Sequence, residues 1–535
     1  MLIDAQRVPQ GSEFQCDLCV VGSGPAGIAV ADRLRDSHLS IILLEAGGLN
    51  YSLPSQRLYG GRIVGHSYYR IDGCRWRMFG GSSNRWGGWC RPLDPGDYTR
   101  RDWLPLSGWP ISAENVVPYE EDAARLCELA NARFDLASWR HRMAPPLFLD
   151  DTNFENVLIQ HSPETNFAEY YGPRLISAPN VTTMLHANVT QLRLDSASGR
   201  IRELEVTTLT GRSFVIRPGA AVLAAGGIEN PRLLLASRSD RAAGIGNEFD
   251  MVGRCFMEHL HVPMGHFFPA ETDVNTKFYR KAVMQDARLR GVIVPTAAAQ
   301  ARHRLLATSI AFEGPSFSLG TAFLGWSPAV MVGPVRLYGE LRKKGYTRAA
   351  HEFKRFATGL SMVPSRVRSW QRSRRAAAKA ARPAAPGSVY SLYFRAEQAP
   401  DPTNRVLLDS NERDALGVPR SRLEWSIKPA DSASAMGWLE LLKRDLHERG
   451  VGEVIAPGES WPDEVIGGPH HMGTTRMSAD PRHGVVDADC RVHSVENLYV
   501  AGSSVFATSG YANPTFTIVC LALRLADTLR KRLSG

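Results

Sequence analysis

The 535-residue chain contains no apolar run near the ~18 residues that a membrane-crossing helix requires. A helical membrane protein is therefore not expected. The N-terminal stretch MLIDAQRVPQGSEFQCDLCVVGSG lacks the cationic start and continuous apolar segment of a secretory leader, so a cytoplasmic location is expected. Cysteine is sparse: Cys16, Cys19, Cys74, Cys90, Cys127, Cys255, Cys490 and Cys520 are too few in so long a chain for a disulfide scaffold. Cys16 and Cys19 do form a CxxC. They lie in QCDLCVVG, an apolar strand pattern, whereas a redox pair normally opens a helix, so buried structural thiols are expected. Neither HExxH nor a Cys/His set at zinc spacing occurs, and no metal is expected.

Apolar residues make up 44% and charged residues 22%, the balance of an ordinary globular enzyme. The length exceeds one ordinary core, which predicts two large units. The net charge of +9 is unevenly placed. Residues 342–382 hold thirteen Lys or Arg against the single acid Glu352, which makes that segment +12 and leaves −3 for the rest. Its Ala/Arg/Pro composition suits a solvated helix and linker, or a surface that docks on an anionic partner or membrane. It matches no nucleic-acid motif, and no nucleic-acid partner is expected.

Residues 17–47 read DLCVVGSGPAGIAVADRLRDSHLSIILLEAG. A short buried strand (17–21) meets Gly22-Ser23-Gly24-Pro25-Ala26-Gly27. Helical apolar spacing follows over 28–34, then a second strand over 40–44 that ends at Glu45. This is a complete βαβ unit for a dinucleotide. Gly22 permits the tight turn, and Gly24 lets backbone N–H groups approach a pyrophosphate at the helix N-terminus. Gly27 allows close helix–strand packing. Glu45 can accept hydrogen bonds from ribose hydroxyls and would repel a 2′-phosphate, which disfavours NADP. This unit alone leaves NAD and FAD open.

Further glycine clusters follow. Residues 79–90 read FGGSSNRWGGWC, with small residues flanked by Trp86 and Trp89, a composition for backbone lying against a large flat ligand. RPGAAVLAAGGIENPRLLLAS (217–237) reads as strand, Gly-Gly turn and helix. VENLYVAGSSVFATSGYANPTFTIVCLALRLADTL (495–529) reads as strand, small-residue turn, loop and long helix, which Pro514 and Thr515 begin. Between them lies GPHHMGTTRM (468–477), whose paired histidines could be metal ligands, packed imidazoles or an acid–base group.

Taken together, GSGPAG with Glu45, GGSSNRWGG, AAGGIENPRLLL, HHMGTTRM and NLYVAGSSVFATSGYANPTFT resemble the glucose–methanol–choline (GMC) family of FAD oxidoreductases, in order and in spacing. Residues 260–460 resemble it less, apart from FRAEQAPDPTNRVLLD (394–409). The resemblance implies an α/β chain with a Rossmann-like FAD-binding domain assembled from 1–95, 180–260 and 465–535. A second, α+β substrate-binding domain on an antiparallel sheet would comprise 96–179 and 261–464, including 342–382. It implies a cofactor cradle of Gly22, Ser23, Gly24, Ala26, Gly27, Glu45, Gly80, Gly81, Ser82, Asn84, Trp86, Gly87, Val189, Ala225, Gly226, Gly502, Ser503, Asn513, Pro514 and Thr515.

It further implies a catalytic pair. His470 is the histidine three residues before the Gly of HxxGT, and Asn513 heads the last helix. His471 is not given the main role. The chemistry agrees: an imidazole suits removal of a hydroxyl proton near neutral pH, and an amide can hydrogen-bond the substrate oxygen. Some relatives attach FAD through a histidine in the GGSS-type loop. Here Arg85 stands there, with His66 outside the motif, so dissociable FAD is expected. The expected activity is oxidation of an alcohol on a small sugar, glycoside or other polyol, by a dehydrogenase rather than an oxidase. Oxygen, a quinone or a redox protein could accept the electrons. A flavin-containing lyase of the same fold is the alternative, and a binding protein that uses the basic segment is a third.

Overall fold

The computed structural model describes residues 1–147, 149–163, 166–195, 197–270, 276–315, 389–456 and 465–534. The basic segment 342–382 lies outside the described residues.

Three sheets organise the chain. In the first, β1 (Leu2–Asp4), β7 (Val181–Leu185), β3 (Ile41–Leu44), β2 (Glu13–Val21) and β10 (Ser213–Leu223) lie side by side, all parallel. The far edge of β10 is shared. Its first half pairs antiparallel with β9 (Ile201–Thr207), which leads to β8 (Asn188–Leu194), and its last three residues pair parallel with β20 (Leu498–Val500). The apolar run Leu18–Val21 is buried on both faces, the mark of a covered parallel strand. Cys16 and Cys19 lie along β2, buried and unbridged.

The helix Pro25–Leu34 begins directly after β2, with proline at its first position and Gly24 as N-cap. The C-terminal helix Thr515–Leu533 packs beside it, tied by Arg33 to Asp527 at 2.9 Å.

The second sheet is antiparallel throughout. Its order is β18 (Gly452–Ile455), β11 (His259–Pro269), β15 (Tyr390–Glu397), β14 (Thr308–Pro315), β13 (Arg288–Pro295), β6 (Phe154–His161) and β5 (Trp89–Cys90). β19 (Ile466–Gly467) pairs with β11, and β12 (Ala282–Val283) with β13. The helix Pro429–Glu448 covers one face: its Trp438 is fully buried and donates from Nε1 to the Leu306 carbonyl at 2.8 Å. On a third, small sheet β4 (Gly61–Gly65) runs parallel to β17 (Pro419–Trp425), which pairs antiparallel with β16 (Arg405–Arg413).

Each large sheet has its own apolar core. A smaller cluster of Val157, Ile159, Val292, Val294 and Ala311 sits on the opposite face of the second sheet and touches Tyr511, two residues from Asn513. That face looks toward the junction with the first sheet, where the motifs meet.

Candidate active site

The glycine turn after β2 is shaped by close backbone approach. A Cβ on Gly27 would stand 1.9 Å from the Gly22 carbonyl oxygen, and one on Gly22 2.6 Å from that of Ala224, so neither position can hold a side chain. By contrast, a Cβ on Gly24, Gly226 or Gly502 would meet nothing within 4 Å. Gly24 is the N-cap of the Pro25–Leu34 helix, where a pyrophosphate would be favoured, and backbone this open at Gly24, Gly226 and Gly502 admits close approach of a ligand. The residues therefore fit a dinucleotide such as FAD.

Glu45 is buried and ties this turn together. Oε2 accepts from the Ser23 hydroxyl at 2.5 Å and the Ser23 amide at 3.3 Å, and Oε1 from the Gly47 amide at 2.7 Å. A carboxylate can accept more hydrogen bonds than these, so capacity for a ribose hydroxyl remains. The loop of residues 79–90 docks on the same turn. The Gly80 amide donates to the Ser23 carbonyl at 3.0 Å, and a Cβ on Gly81 would be 3.0 Å from the Gly24 Cα. Asn84 holds the loop's own shape, donating to the Phe79 and Gly81 carbonyls and accepting from Asn166. Ser82 accepts from the Trp76 amide, Trp86 meets Phe167 edge-on, and Gly87 is exposed. Arg85 lies over the Trp76 ring at 4.9 Å. Val189, half-buried on β8, follows Asn188, whose Oδ1 accepts from Arg77 at 2.7 Å.

The later motifs interlace. Ala225 and Gly226 open the helix Gly226–Ala236, whose Asn230 accepts from the Ala225 amide and donates to Ser504. Ser503 donates to the His471 carbonyl at 2.7 Å, and Thr474 to that of Gly227 at 2.6 Å. The Gly473 amide donates to the Ser503 carbonyl at 3.1 Å. This lattice fixes the backbone of the paired histidines. Pro514 caps the last helix and Thr515 begins it, which leaves Asn513 just before the helix.

His470 Nε2 and Asn513 Nδ2 lie 3.2 Å apart. On the other side of the ring, His470 Nδ1 lies 3.0 Å from His259 Nδ1, and His259 Nε2 lies 3.2 Å from the Ser509 carbonyl oxygen. A carbonyl only accepts, so His259 carries its proton on Nε2 and offers the Nδ1 lone pair. His470 must then donate from Nδ1, which leaves Nε2 as a lone pair that accepts from Asn513. Burial holds both rings neutral: it pushes His259 down to about 4 and His470 well below the usual histidine range, with His259 and His261 adding to the latter. His470 is only half-buried by surface exposure, so its ring is not fully closed off.

His471 points the other way, with Nε2 3.7 Å from Cys74 Sγ and 3.8 Å from Glu258 Oε1. Burial lowers it to about 3. Glu258 is fully buried and holds the turn before His470: Oε2 accepts from the amides of Gly468 at 2.9 Å and His470 at 3.0 Å, and Tyr68 donates to Oε1. Burial raises its carboxyl to about 7. Among the described residues, no group of three or more His, Cys, Asp or Glu could hold a metal ion, and no helix is long and apolar enough to cross a membrane.

Sequence reasoning had not singled out His259, His261, Glu258 or Tyr68. The one available signal was MEHLHV, where alternate histidines on a strand share a face. Nothing in that hexapeptide indicates what the face meets 211 residues later.

The family model described as GMC oxidoreductase matches residues 400–522. The 2-methyl-1,2-propanediol dehydrogenase of Mycolicibacterium austroafricanum is 23% identical, over 98% of this chain and 96% of its own length. The 6'''-hydroxyparomomycin C oxidase of Streptomyces lividus is also 23% identical, over 97% and 92%. Among solved structures, formate oxidase superposes with a TM-score of 0.54 at 17% identity, covering 98% of this chain and 99% of its own. Pyridoxine 4-oxidase of Mesorbium loti superposes with 0.52 at 18%, covering 96% and 99%.

Proposed function

We propose that this chain, which belongs to the GMC oxidoreductases, uses His470 as the base and Asn513 as the oxygen-positioning group in FAD-dependent oxidation of an alcohol on a small hydroxylated molecule. The observation that carries the reading is the 3.2 Å approach of His470 Nε2 to Asn513 Nδ2, with the lone pair on Nε2 inferred from the His470–His259–Ser509 chain. A substrate hydroxyl seated between the two would give its proton to Nε2 and accept a hydrogen bond from Asn513 Nδ2, while its C–H bond is aimed. Proton loss from oxygen and hydride loss from carbon convert the alcohol to a carbonyl. FAD supplies the hydride acceptor when bound.

We read FAD as held without a covalent bond by a Rossmann-like unit formed from residues 1–95, 180–260 and 465–535. Gly22, Gly24, Gly27, Gly226 and Gly502 form its close backbone contacts, and Glu45 its ribose contact. Polyols, sugars and glycosides are the substrate class, in keeping with the relatives. Among them are a diol dehydrogenase, a fructose dehydrogenase large subunit from Gluconobacter japonicus and a paromamine 6'-oxidase from Streptomyces fradiae.

The test is an anaerobic screen of alcohols and polyols that follows loss of oxidised-flavin absorbance. His470→Ala, with FAD content matched, should slow reduction roughly 10²–10⁴-fold. His471→Ala should be milder. Reduction at the wild-type rate in His470→Ala refutes the assignment, and turnover of an alcohol without bleaching would favour a lyase.

A further inference from the structure

The face of the second sheet that meets His470 carries a cation that, among the described residues, forms no ion pair of its own. His261 on β11 stands directly opposite Arg395 on β15, as His259 stands opposite Glu397. Residues opposite each other in an antiparallel pair project to the same side. His259 and His261 both reach His470, with ring centres at 5.0 and 6.1 Å, so Arg395 projects toward the same space.

The acids nearest Arg395 are already committed. Both oxygens of Glu397 accept from Arg101, at 2.5 and 2.7 Å, and Glu313 pairs with Arg290 at 3.1 Å. Arg290 is otherwise satisfied, donating to the carbonyls of Tyr279 and Phe312. Arg395, in contrast, stacks on the Trp89 ring at 4.0 Å, and its buried Nη1 has no hydrogen-bond partner among the described residues. No carboxylate pairs with it among the described residues. Burial and the neighbouring Arg290 push this guanidinium down to about 10, far below its usual range. A stack on an aromatic ring offsets only part of what burying an unpaired ion costs. Sequence and packing thus leave a guanidinium fork waiting for an oxyanion, the group it binds bidentately.

We propose that Arg395 anchors an anionic group of the substrate, so that the preferred alcohol is a hydroxylated anion bearing a carboxylate or a phosphate rather than a neutral polyol. This rests on the alcohol-oxidation reading and narrows it. The hydroxyl lies at the His470–Asn513 pair, and the oxyanion lies at the sheet, beside Trp89 and His261. The His261 Nε2, buried without a hydrogen-bond partner among the described residues, is a second polar atom on this wall.

The experiment compares sorbitol, gluconate and sorbitol 6-phosphate as reductants of the wild-type holoenzyme and of Arg395→Met, whose side chain keeps an apolar contact with Trp89. Gluconate or sorbitol 6-phosphate should exceed sorbitol in kcat/KM by roughly 10²-fold in the wild type, and that ratio should collapse in Arg395→Met. Which anion is preferred distinguishes carboxylate from phosphate. A wild-type preference for sorbitol, or a ratio unchanged by the substitution, overturns the proposal. Calorimetric titration with propionate and with inorganic phosphate gives a readout independent of turnover. Binding that weakens at least 10-fold in Arg395→Met supports the anchor, and absence of binding to the wild type refutes it. Should none of the polyols bleach the flavin while the anions still bind through Arg395, the alcohol-oxidation reading fails and the anion site stands.

Discussion

Acid should dismantle the space between the two large sheets, and its buried imidazoles set the scale. His259 and His161 are pushed down to about 4, His261 and His471 to about 3, and His470 well below 6.5, with burial the first cause in every case. In the unfolded chain each would titrate near 6.5. These are depressed basic groups, so below about pH 6.5 the unfolded state binds protons that the folded state refuses. Stability therefore falls as pH drops, until the folded values are reached.

Between pH 7 and 5 the loss is about 2 kcal/mol for each of the four rings held near 3 or 4, and His470 adds in the same sense. Glu258 works in the opposite sense. Burial raises its carboxyl to about 7, so its contribution is fully present below the unfolded value and is lost as pH rises through about 7. It offsets about 2 kcal/mol over the same span. Two buried aspartates act in the same sense as Glu258: burial raises Asp431 to about 6, which offsets about 1 kcal/mol more, and lifts Asp97 well above its usual range. The net is a loss of about 3–4 kcal/mol, a sizeable part of the ~5–15 kcal/mol that stabilises a typical domain. Thermal unfolding of the holoenzyme at pH 7, 6 and 5, with flavin fluorescence followed in the supernatant, measures it. The midpoint should fall by about 3 °C or more, and intact FAD should leave the polypeptide. His161→Phe, which keeps the edge contact with Trp89 at 4.9 Å and removes one titrating ring, should recover about 2 kcal/mol at pH 5. A midpoint that stays level or rises between pH 7 and 5 would show that these imidazoles are not held neutral.

Two further expectations follow from particular contacts. Asn513→Ala should retain FAD and lose about 2–4 kcal/mol in the barrier to flavin reduction, the scale of one donor to a developing oxyanion, and rapid-mixing reduction reads it. Arg101→Met leaves Glu397 fully buried and uncompensated, and should destabilise the protein by about 3–5 kcal/mol in a denaturant titration. The double variant with Glu397→Gln should regain part of that loss, whereas an additive double variant would mean that the pair is not coupled.

The parts of this protein written in local pattern are legible without a structure. The apolar run before GSGPAG, the four buried residues before Glu45 and the Pro514–Thr515 helix start each state their element within a dozen residues, because hydrogen-bond period, proline and glycine act locally. The family resemblance draws on the same short stretches. What the pattern could not state is which distant segments face one another. Glu45 reads as a ribose acceptor, and the fold also makes it the anchor of Ser23 and Gly47. The His470–Asn513 contact spans 43 residues, and the proton order in that pair depends on His259, 211 residues away, and on the Ser509 carbonyl. Arg395 was one charge in a moderately familiar stretch until the register of β11 and β15 set it opposite His261, with Glu397 and Glu313 claimed by other arginines. Local propensity selects the elements, whereas strand register and burial decide which polar groups are satisfied and which are left for a ligand, and those depend on the whole chain folding at once.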